Sequence, residues 1–460
     1  MDLLVQKYGG TSVGTADRLL NVAKIVAQSK EAGNRVAVVL SAMSSHVKAE
    51  GTTSRLLEAS QAAIDGGAYY KIIDLIEARH LEAIEGAIKS REIRAEVVDD
   101  VEGQFHRLKS FLDAINVIGE ISPRSNDVII GTGEKLSARI FTGVLQDQGI
   151  DAVYCNLESL IDEPFTEVNN EFCASMQAKL AQIVQDAGPK VPVFTGYFGF
   201  APGGILRSVG RGYTDFTAAL VAAGTRAKEL QIWKEVDGIY STDPRKVPQA
   251  KVLESITPEE AMELTYYGSE VIHPFTMEQV TKVGVPVRIK NTFDASVPGT
   301  LVDPNAEVNL TGKSATAVTV KGGVTILNVY SNRMLMAYGF MNRVFEILGR
   351  YEIIIDLIAT SEVNISMTID DTRNLDKAIV DLERLGKVQV KKNMAILSLV
   401  GHRMRQTPGI AGDMFSRLGD AGVNIELISQ GASEINISCA IADEQADKAL
   451  KAVHKILEDE

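Results

Sequence analysis

The sequence is poor in the residues that build disulfide or metal-based scaffolds. Only three cysteines occur, Cys155, Cys173 and Cys439, and none belongs to a C-x-x-C pair. A sparse and odd set of this kind predicts reduced thiols in a cytosol-like compartment. The six histidines are scattered without ligand spacing, so a structural zinc site is not expected and no metal-binding side chain is assigned.

Features of membrane and nucleic-acid-binding proteins are also lacking. No run of about eighteen apolar residues occurs, and the N-terminus does not show the charged-then-apolar pattern of a signal peptide. The formal charge is −13, from 47 Lys and Arg against 60 Asp and Glu, which disfavours a general surface for nucleic acid or anionic lipid. We therefore expect a soluble, cytoplasmic protein in which an anionic ligand needs a locally basic pocket.

What the sequence does contain is a long alternation of strand-like and helix-like patterns. The chain has 460 residues and 45% hydrophobic content, enough for several sizeable cores. Apolar runs at 35–43, 152–154, 191–194 and 230–233 are separated by helical periodicity. This predicts an α/β domain over 1–298 with a mostly parallel sheet covered on both faces, interrupted by a charged helical excursion at about 54–120. The chemistry of such a domain is expected at the strand exits.

Beyond a Pro-, Gly- and Asn-rich stretch at 297–312, the sequence repeats itself. The segments 345–348, 355–358 and 361–366 are matched in order by 415–418, 425–428 and 433–438. We infer two copies of one β-α-β unit, because a single copy is small for burying its own sheet. A helix followed by alternating strands, twice, resembles the ACT domain, a β-α-β-β-α-β module that binds small amino acids. A generic ferredoxin-like pair that only forms dimer contacts is the alternative.

The N-terminus carries a candidate phosphate-binding turn. An apolar run at 3–5 leads through Lys7 to Gly9 and Gly10 and then to a helical pattern, which predicts strand, tight turn and helix. Glycines let backbone N–H groups approach an anion, the following helix would direct its positive end there, and Lys7 adds a full charge. The lysine precedes the glycines, so this is not a Walker A loop. A purely structural turn is the alternative.

Two further polar, glycine-rich segments are expected at strand exits. Residues 131–137 are expected to open a helix, where Glu134 either caps that helix or accepts a substrate ammonium group. Residues 208–217 precede an apolar helix and lack the third glycine of a dinucleotide-binding motif. Arg211, between two glycines, suits a carboxylate or phosphate, and Asp215 is interpreted either as a helix cap or as part of the site.

The last candidate segment runs from 233 to 246. It ends a predicted strand and enters a loop in which Tyr240 could flank an adenine and Arg245 and Lys246 could meet phosphates. On this segment alone, a plain surface turn is the simpler interpretation.

Taken together, these segments closely resemble the aspartate kinase family over essentially the whole chain. Lys-x-Gly-Gly-Thr-Ser at 7–12, Gly-Glu-x-Leu-Ser at 133–137, Gly-Arg-Gly-x-Thr-Asp at 210–215 and Val-Asp-Gly-Ile-Tyr-Ser-Thr-Asp-Pro-Arg at 236–245 occur in that order, ahead of two ACT-like units. The resemblance implies an amino-acid kinase fold at 1–298 and ACT domains at 313–390 and 394–460.

The reaction implied by the resemblance is transfer of the γ-phosphoryl group of MgATP to the β-carboxylate of L-aspartate, giving 4-phospho-L-aspartate. This is the first step towards lysine, threonine and methionine. The nucleophile needs no general base, because an aspartate side chain with a pKa of about 3.9 is already ionised at neutral pH. A kinase for another amino-acid carboxylate, and a catalytically silent amino-acid sensor, are the alternatives.

The resemblance also implies roles for individual residues, with Lys7 and Asp215 as the catalytic pair. The substrate-binding residues implied are Thr53, Glu134, Tyr197, Arg211 and Thr214. The ATP-binding residues implied are Lys7, Gly9, Gly10, Ser41, Lys234, Tyr240, Arg245 and Lys246. The residues implied for an effector, lysine or threonine, are Met334, Phe340, Met341, Asp356, Thr360 and Ser361. Of these, Asp356 is interpreted either as pairing with an amino group or as a solvated strand residue. Mg²⁺ is expected to be held mainly through the phosphates, and paired ACT units imply a homodimer or a higher homo-oligomer.

One departure from the common bacterial pattern is informative. Those relatives carry a lysine that helps to hold ATP in a segment that here contains Glu270. The strand that reads Trp-Thr-Asp-Val in them reads Trp-Lys-Glu-Val here, from Trp233 to Val236. We interpret Lys234 as the replacement cation, a pattern more similar to fungal aspartate kinases.

Overall fold

A computed structural model describes residues 1–45, 47–210, 212–266, 272, 274–304, 315–330, 339–402, 404, 407–431 and 435–459. The chain forms two compact units. The first comprises Met1–Ile239, Glu254–Pro258 and Val271–Ala306, and the second comprises Tyr240–Leu253, Glu259–Glu270 and Glu307–Glu460. Two short segments upstream of residue 298 therefore belong with the C-terminal part of the chain.

The regular elements follow one another as the alternating pattern predicts. The strands are β1 (Leu3–Tyr8), β2 (Arg35–Leu40), β3 (Ala152–Cys155), β4 (Val191–Thr195), β5 (Glu229–Lys234), β6 (Ser255–Ile256), β7 (Val287–Asn291), β8 (Thr300–Val302), β9 (Ala317–Tyr330), β10 (Ile358–Thr360), β11 (Asn364–Ile369), β12 (Lys387–Val400), β13 (Ile425–Ser429) and β14 (Asn436–Ala442). The helices are α1 (Ala16–Glu31), α2 (Thr52–Ile64), α3 (Tyr69–Ala87), α4 (Arg91–Ile118), α5 (Pro123–Asp147), α6 (Asn170–Asp186), α7 (Ile205–Ser208), α8 (Tyr213–Thr225), α9 (Pro258–Tyr266), α10 (Pro274–Val283), α11 (Phe340–Arg350), α12 (Leu375–Leu382), α13 (Ile410–Asp420) and α14 (Ala446–Asp459).

The first unit is built on an eight-stranded sheet in the order β3-β4-β2-β1-β5-β7-β8-β6. Its central strand β1 pairs in parallel with β2 and β5, so that Lys7 lies opposite Val39 and Ile232. The β7 and β8 strands pair antiparallel. The five residues of β2 from Val36 to Leu40 are all buried, as expected for a parallel strand covered on both faces. The predicted α/β class is confirmed.

The charged region at about 54–120 is helical, as predicted. Its helices α2, α3 and α4 pack on one another and on α5. On α4, Phe105, Leu108 and Leu112 are buried at helical spacing in the core of the first unit. The charged residues between them lie on the other faces of the helix.

The second unit is built on a six-stranded sheet in the order β10-β11-β9-β12-β14-β13. The two 14-residue strands β9 and β12 pair antiparallel at its centre. On either side of them the same order recurs, with α11, β10 and β11 in the first copy and α13, β13 and β14 in the second. Each copy has its own apolar core, which confirms the internal repeat. The strand expected at 355–358 begins only at Ile358.

The segment Tyr240–Leu253 is part of this second unit. The Val318 N–H donates to the Ser241 carbonyl at 2.8 Å, and the Ser241 hydroxyl lies 3.2 Å from His454 Nε2 on α14. Val247 contributes to the core of the second ACT copy. Similarly, Glu260 of α9 accepts the Thr316 hydroxyl at 2.6 Å.

Every helix within the described ranges is too short or too polar to cross a membrane.

Candidate active site

The carboxyl ends of several neighbouring strands of the first unit meet at one edge of its sheet. The Ser41 N–H, just after β2, donates to the Tyr8 carbonyl at the end of β1, over 3.2 Å. The Gly196 N–H, just after β4, donates to the Leu40 carbonyl over 2.9 Å. Lys234 ends β5 on the other side of β1. Open parallel sheets bind ligands at this edge, because the strand exits supply irregular backbone there.

A buried ion pair lies at this edge. Lys7 Nζ is 2.7 Å from Asp215 Oδ1, and the two side chains are only 8% and 10% exposed. Asp215 lies in the first turn of α8, where the helix dipole favours a negative charge. The N-cap of α8 is Gly212, without a side-chain capping bond. The interpretation of Asp215 as a mere cap is therefore wrong, since its carboxylate pairs with Lys7.

The glycine turn after β1 packs directly on the loop after β2. The Gly10 carbonyl accepts the Ser44 N–H at 2.9 Å, and a Cβ at residue 10 would lie 2.3 Å from the Ala42 carbonyl oxygen. A side chain is therefore excluded at this position. Residues 10–13 form one 3₁₀ turn, and α1 starts at Ala16 with Thr15 as its N-cap. The predicted strand, turn and helix are confirmed.

The expectation that residues 131–137 open a helix is wrong. They lie in the middle of α5, and all of them are buried. A Cβ at Gly131 would lie 2.3 Å from the Tyr197 ring, and one at Gly133 would lie 2.6 Å from the Ala42 Cβ. These glycines therefore allow neighbouring segments to pack closely on the helix rather than marking its start. Glu134, in mid-helix, cannot cap the helix N-terminus.

A cavity of about 190 Å³ opens between these segments. Among the residues lining it are Thr53, Glu134 and Thr214, predicted to bind the substrate, and Gly10 and Ser41, predicted to bind the nucleotide. The structure thus brings together residues from three of the four sequence motifs with Ser41 and Thr53. The size of the cavity suits a small amino acid.

Glu134 is the buried acid of this cavity. Its Oε1 accepts the Tyr213 hydroxyl at 2.6 Å, whereas its Oε2 has no hydrogen-bond partner in the described part of the chain. Burial raises the pKa of Glu134 to about 7, and the hydrogen bond from Tyr213 opposes that rise. An acid in this state can gain a great deal from a cationic ligand group.

A second buried acid, Asp127, lies two turns earlier on α5. Both of its oxygens accept the Ile205 N–H, at 2.8 and 3.0 Å, at the start of α7. Burial raises the pKa of Asp127 to about 6. Since Leu206 lines the cavity, Asp127 holds part of the cavity wall in place.

The sequence predictions missed both Asp127 and Tyr213. Asp127 lies seven residues before Glu134, a spacing that places both acids on one helix face, and this spacing was the available signal. Tyr213 occupies the variable position of its motif, so the motif itself gave no indication of its role.

The remaining predicted residues of the first unit differ in their surroundings. Tyr197 is buried with its ring against Gly131, and it is not one of the described cavity-lining residues. A Cβ added at Gly9 would lie 3.9 Å from Lys7 Nζ. Lys234 is half-buried, and its carbonyl accepts the Thr292 N–H at 2.8 Å. Arg211 and Glu270 lie outside the described residues.

The other predicted nucleotide residues belong to the second unit. Tyr240 forms an isolated bridge with Val252. Arg245 is exposed and pairs with Asp243 at 2.8 Å, whereas Lys246 pairs with Asp447 at 2.7 Å. Their role towards ATP stays a prediction.

The five described effector residues lie on α11 or in and beside β10 along the chain. Phe340 is buried at the start of α11 and Met341 beside it is exposed, while Thr360 ends β10 and Ser361 begins the turn into β11. Met334 lies outside the described residues.

Among these effector residues, Asp356 has a surrounding that the sequence did not predict. Its side chain is 1% exposed, with Oδ1 3.0 Å from Lys321 Nζ. Lys321 also lies 3.0 Å from Asp370. The interpretation of Asp356 as a solvated residue is therefore wrong.

Comparison with known proteins covers the whole chain. Residues 2–291 match the amino acid kinase family, and residues 327–384 and 397–457 match an ACT domain. The aspartokinase of Schizosaccharomyces pombe is 46% identical over 481 residues, covering 99% of this chain and 92% of its own length.

Two solved structures of aspartokinase III from E. coli, each 27% identical, have the same fold. The R-state complex with aspartate and ADP has a TM-score of 0.81 and covers 99% of this chain and 100% of its own. The T-state complex with lysine and aspartate has a TM-score of 0.79 and covers 99% of both chains.

Proposed function

The chain belongs to the amino acid kinase family and is an aspartate kinase with C-terminal ACT domains, and on this premise we propose how its first unit binds and phosphorylates the substrate. It transfers the γ-phosphoryl group of ATP to the β-carboxylate of L-aspartate, giving 4-phospho-L-aspartate. The observation that carries the proposal is the cavity lined by Glu134, Thr53 and Thr214 at the sheet edge that holds the Lys7 and Asp215 ion pair.

In this proposal L-aspartate occupies the cavity with its ammonium group on Glu134 Oε2. A buried carboxylate without a cationic partner is unfavourable, so an ammonium group gains both a charge-assisted hydrogen bond and relief of that cost. The hydroxyl groups of Thr53 and Thr214 line the same cavity and can donate to the substrate carboxylates. On the family resemblance, Arg211 is assigned to the α-carboxylate and Tyr197 to substrate binding.

The reacting group is the ionised side-chain carboxylate of the substrate. The barrier lies in bringing this anion to a phosphate chain that is also negative, and pre-organised cations lower it. Lys7 supplies such a cation, and Asp215 fixes its ammonium group at 2.7 Å so that little reorganisation is needed. Gly9, Gly10 and Ser41 allow the phosphates to approach the backbone beside Lys7.

The nucleotide side of the proposal uses ATP with Mg²⁺. No group of three or more His, Cys, Asp or Glu side chains suited to a metal ion occurs within the described ranges, and Asp215 already pairs with Lys7. This donor set fits an ion that enters with ATP, held by phosphates and water, with few protein ligands. Bound there, Mg²⁺ neutralises phosphate oxygens.

Lys234, Tyr240, Arg245 and Lys246 are the proposed ATP contacts, with Lys234 replacing the lysine that is missing at Glu270. Replacement Lys234→Ala should raise the KM for ATP about tenfold. Lys228→Ala removes an exposed cation just before β5 and should leave the KM for ATP unchanged. An unchanged KM in a stable Lys234→Ala variant would contradict this role.

The second unit is proposed to bind a feedback effector. The ACT domains and the lysine in the T-state structure of the E. coli enzyme support lysine, with threonine as the second candidate, at Met334, Phe340, Met341, Asp356, Thr360 and Ser361. We propose that the enzyme catalyses the first step towards lysine, threonine and methionine. A cytoplasmic location and a homodimer or higher homo-oligomer complete the proposal.

One assay distinguishes the candidate functions. ADP release is measured with the full chain, ATP and Mg²⁺, offering L-aspartate or L-glutamate, each with and without lysine and threonine. We expect release with aspartate, little with glutamate, and inhibition by one of the two effectors. Release with glutamate alone would indicate a kinase for another carboxylate, and no release would indicate a silent sensor.

A further inference from the structure

Tyr213 lies in the cavity wall beside Glu134, the buried acid that the substrate is proposed to meet. It is the first residue of α8, it is 3% exposed, and it lines the cavity. Its hydroxyl donates to Glu134 Oε1 over 2.6 Å, a short bond of the kind formed with charged acceptors. The contact joins α8 to α5 across 79 residues of sequence.

We propose that Tyr213 is a positioning residue for the amino-acid substrate: its hydroxyl holds one oxygen of Glu134 and keeps the other available for the substrate ammonium group. The inference rests on the proposed function, in which Glu134 receives that group. Tyr213 occupies the unspecified position x of the motif Gly-Arg-Gly-x-Thr-Asp.

The chemistry of the phenol explains why it suits this position. A glutamate side chain has three rotatable bonds, and one firm hydrogen bond restricts them. A lysine or arginine at this position would also hold the carboxylate, but its charge would cancel the negative charge and repel an ammonium group. A hydroxyl donor stabilises the ionised carboxylate without neutralising it.

The backbone N–H groups of Ala42 and of Glu134 itself also favour the ionised form of this acid and oppose the rise in its pKa, so it is among the described side chains that this task falls to Tyr213. Tyr197, from the segment after β4, and Asp127, from α5 itself, are the other titratable side chains that interact with Tyr213 and Glu134. Both are neutral or negative. The described cavity-lining residues of the loop after β2 and of α2 contribute serine and threonine side chains and no charge. The Lys7 ammonium is held by Asp215.

The consequence is a substrate affinity that depends on pH through Glu134. Burial pushes this acid towards its protonated form, which cannot accept an ammonium group, and the Tyr213 bond opposes that tendency. Loss of the hydroxyl should therefore raise the pKa of Glu134 further. Aspartate binding would then fail at a higher pH than in the natural enzyme.

The test compares Tyr213→Phe with Tyr69→Phe in the full chain. Tyr69 also donates to a carboxylate, Asp113, over 2.8 Å, but on α3 and outside the cavity. For Tyr213→Phe we expect the KM for aspartate to rise about tenfold at pH 7, and more at pH 6 than at pH 8.5. The kcat, the KM for ATP and the unfolding temperature should stay close to those of the natural enzyme and of Tyr69→Phe.

Glu134→Gln and the double variant complete the test. If Tyr213 acts through Glu134, Tyr213→Phe should add almost nothing in the Glu134→Gln background. An unchanged KM for aspartate, a rise that does not vary with pH, or full additivity in the double variant would overturn the inference. If Glu134→Gln itself leaves the KM for aspartate unchanged, the proposed substrate site fails as well, which separates the two failures.

Discussion

The buried carboxylates of the two units differ in the partners that they contact. Glu134, in the first unit, receives a hydroxyl from Tyr213 and has no cationic partner among the residues that the structure describes. Asp356, in the second unit, is equally buried but pairs with Lys321 over 3.0 Å. Lys321 in turn reaches Asp370 at the same distance.

The difference affects how readily each carboxylate can bind the amino group of a ligand. Burial raises the pKa of Glu134 to about 7, and no described cation neutralises this acid, so an ammonium group of the proposed substrate finds an arranged acceptor. Asp356 already has an ammonium group, that of Lys321. An effector amino group must therefore compete with Lys321, which would lower its apparent affinity.

The largest expected effect comes from the lysine of the first unit. Glu134 has no cationic partner only if Lys7 acts on the transferred phosphoryl group instead. Lys7→Ala should therefore lower kcat about a thousandfold while aspartate binds nearly as before. ADP release at saturating substrate measures this. The control is Lys109→Ala. It removes a lysine of α4 that pairs with Glu77 over 2.7 Å, and the kcat should stay that of the natural enzyme. A fall of less than about tenfold in Lys7→Ala would count against the role.

A second prediction concerns the helix that carries Glu134. An acceptor without a counterion needs a firm support, and the Tyr197 ring packs on α5 at Gly131. Gly131→Ala should therefore lower the free energy of unfolding by about 2 kcal/mol, because the new Cβ overlaps that ring. Urea unfolding provides the measurement. Gly103→Ala, on α4 with nothing within 4 Å, should instead stabilise by about 0.5 kcal/mol. Equal effects of the two changes would refute the packing argument.

A third prediction tests the competition in the second unit. Lys321→Gln should lower the free energy of unfolding by only about 1 kcal/mol, because Lys321 is a fifth exposed and solvent screens the pair. It should also make the lysine effector bind several-fold more tightly, since the Lys321 ammonium group no longer competes for Asp356. Equilibrium dialysis with lysine and threonine measures this in the full chain. Weaker binding would show that Lys321 supports the effector site instead of competing for it.

The smallest effect is expected from Asp127, the other acid of α5. Its folded pKa of about 6 lies above the ordinary value of about 3.9, so the folded state binds the proton more tightly. The stability that this acid contributes is complete below about pH 4 and is lost as the pH rises through 6. Asp127→Asn removes this titration. The free energy of unfolding of the variant, relative to that of the natural enzyme, should therefore be higher at pH 7 than at pH 4.5. Urea unfolding at both values checks this, with Asp113→Asn as the control, and a constant difference would contradict it.

Much of the fold was predictable because it follows from periodicity. The parallel sheet, the helical excursion and the doubled ACT-like unit all leave patterns within short stretches of sequence. The strand, turn and helix around Lys7 were also predictable, since an apolar run, two adjacent glycines and helical periodicity follow one another within 25 residues. The contact between Lys7 and Asp215 needed the family resemblance.

What could not be predicted depends on contacts between distant segments. A glycine that marks a helix start and one that admits a neighbouring ring look the same in sequence, which is why residues 131–137 were misplaced. Tyr213 and Glu134 meet only because α8 packs beside the cavity. Lys321 reaches Asp356 from β9, which lies far from it in the sequence, so a solvated position and a paired one were equally consistent with the sequence around Asp356.

The passage of the chain through the second unit before residue 298 has a consequence for modularity. Ser241, Val247 and Glu260 find their hydrogen bonds and apolar neighbours among residues after 315. A chain truncated before residue 315 would leave the Val247 side chain without these apolar neighbours. It would also remove these hydrogen-bond partners of Ser241 and Glu260. The second unit is therefore not an appendage that can be removed cleanly, and truncation before residue 315 should destabilise the remaining chain.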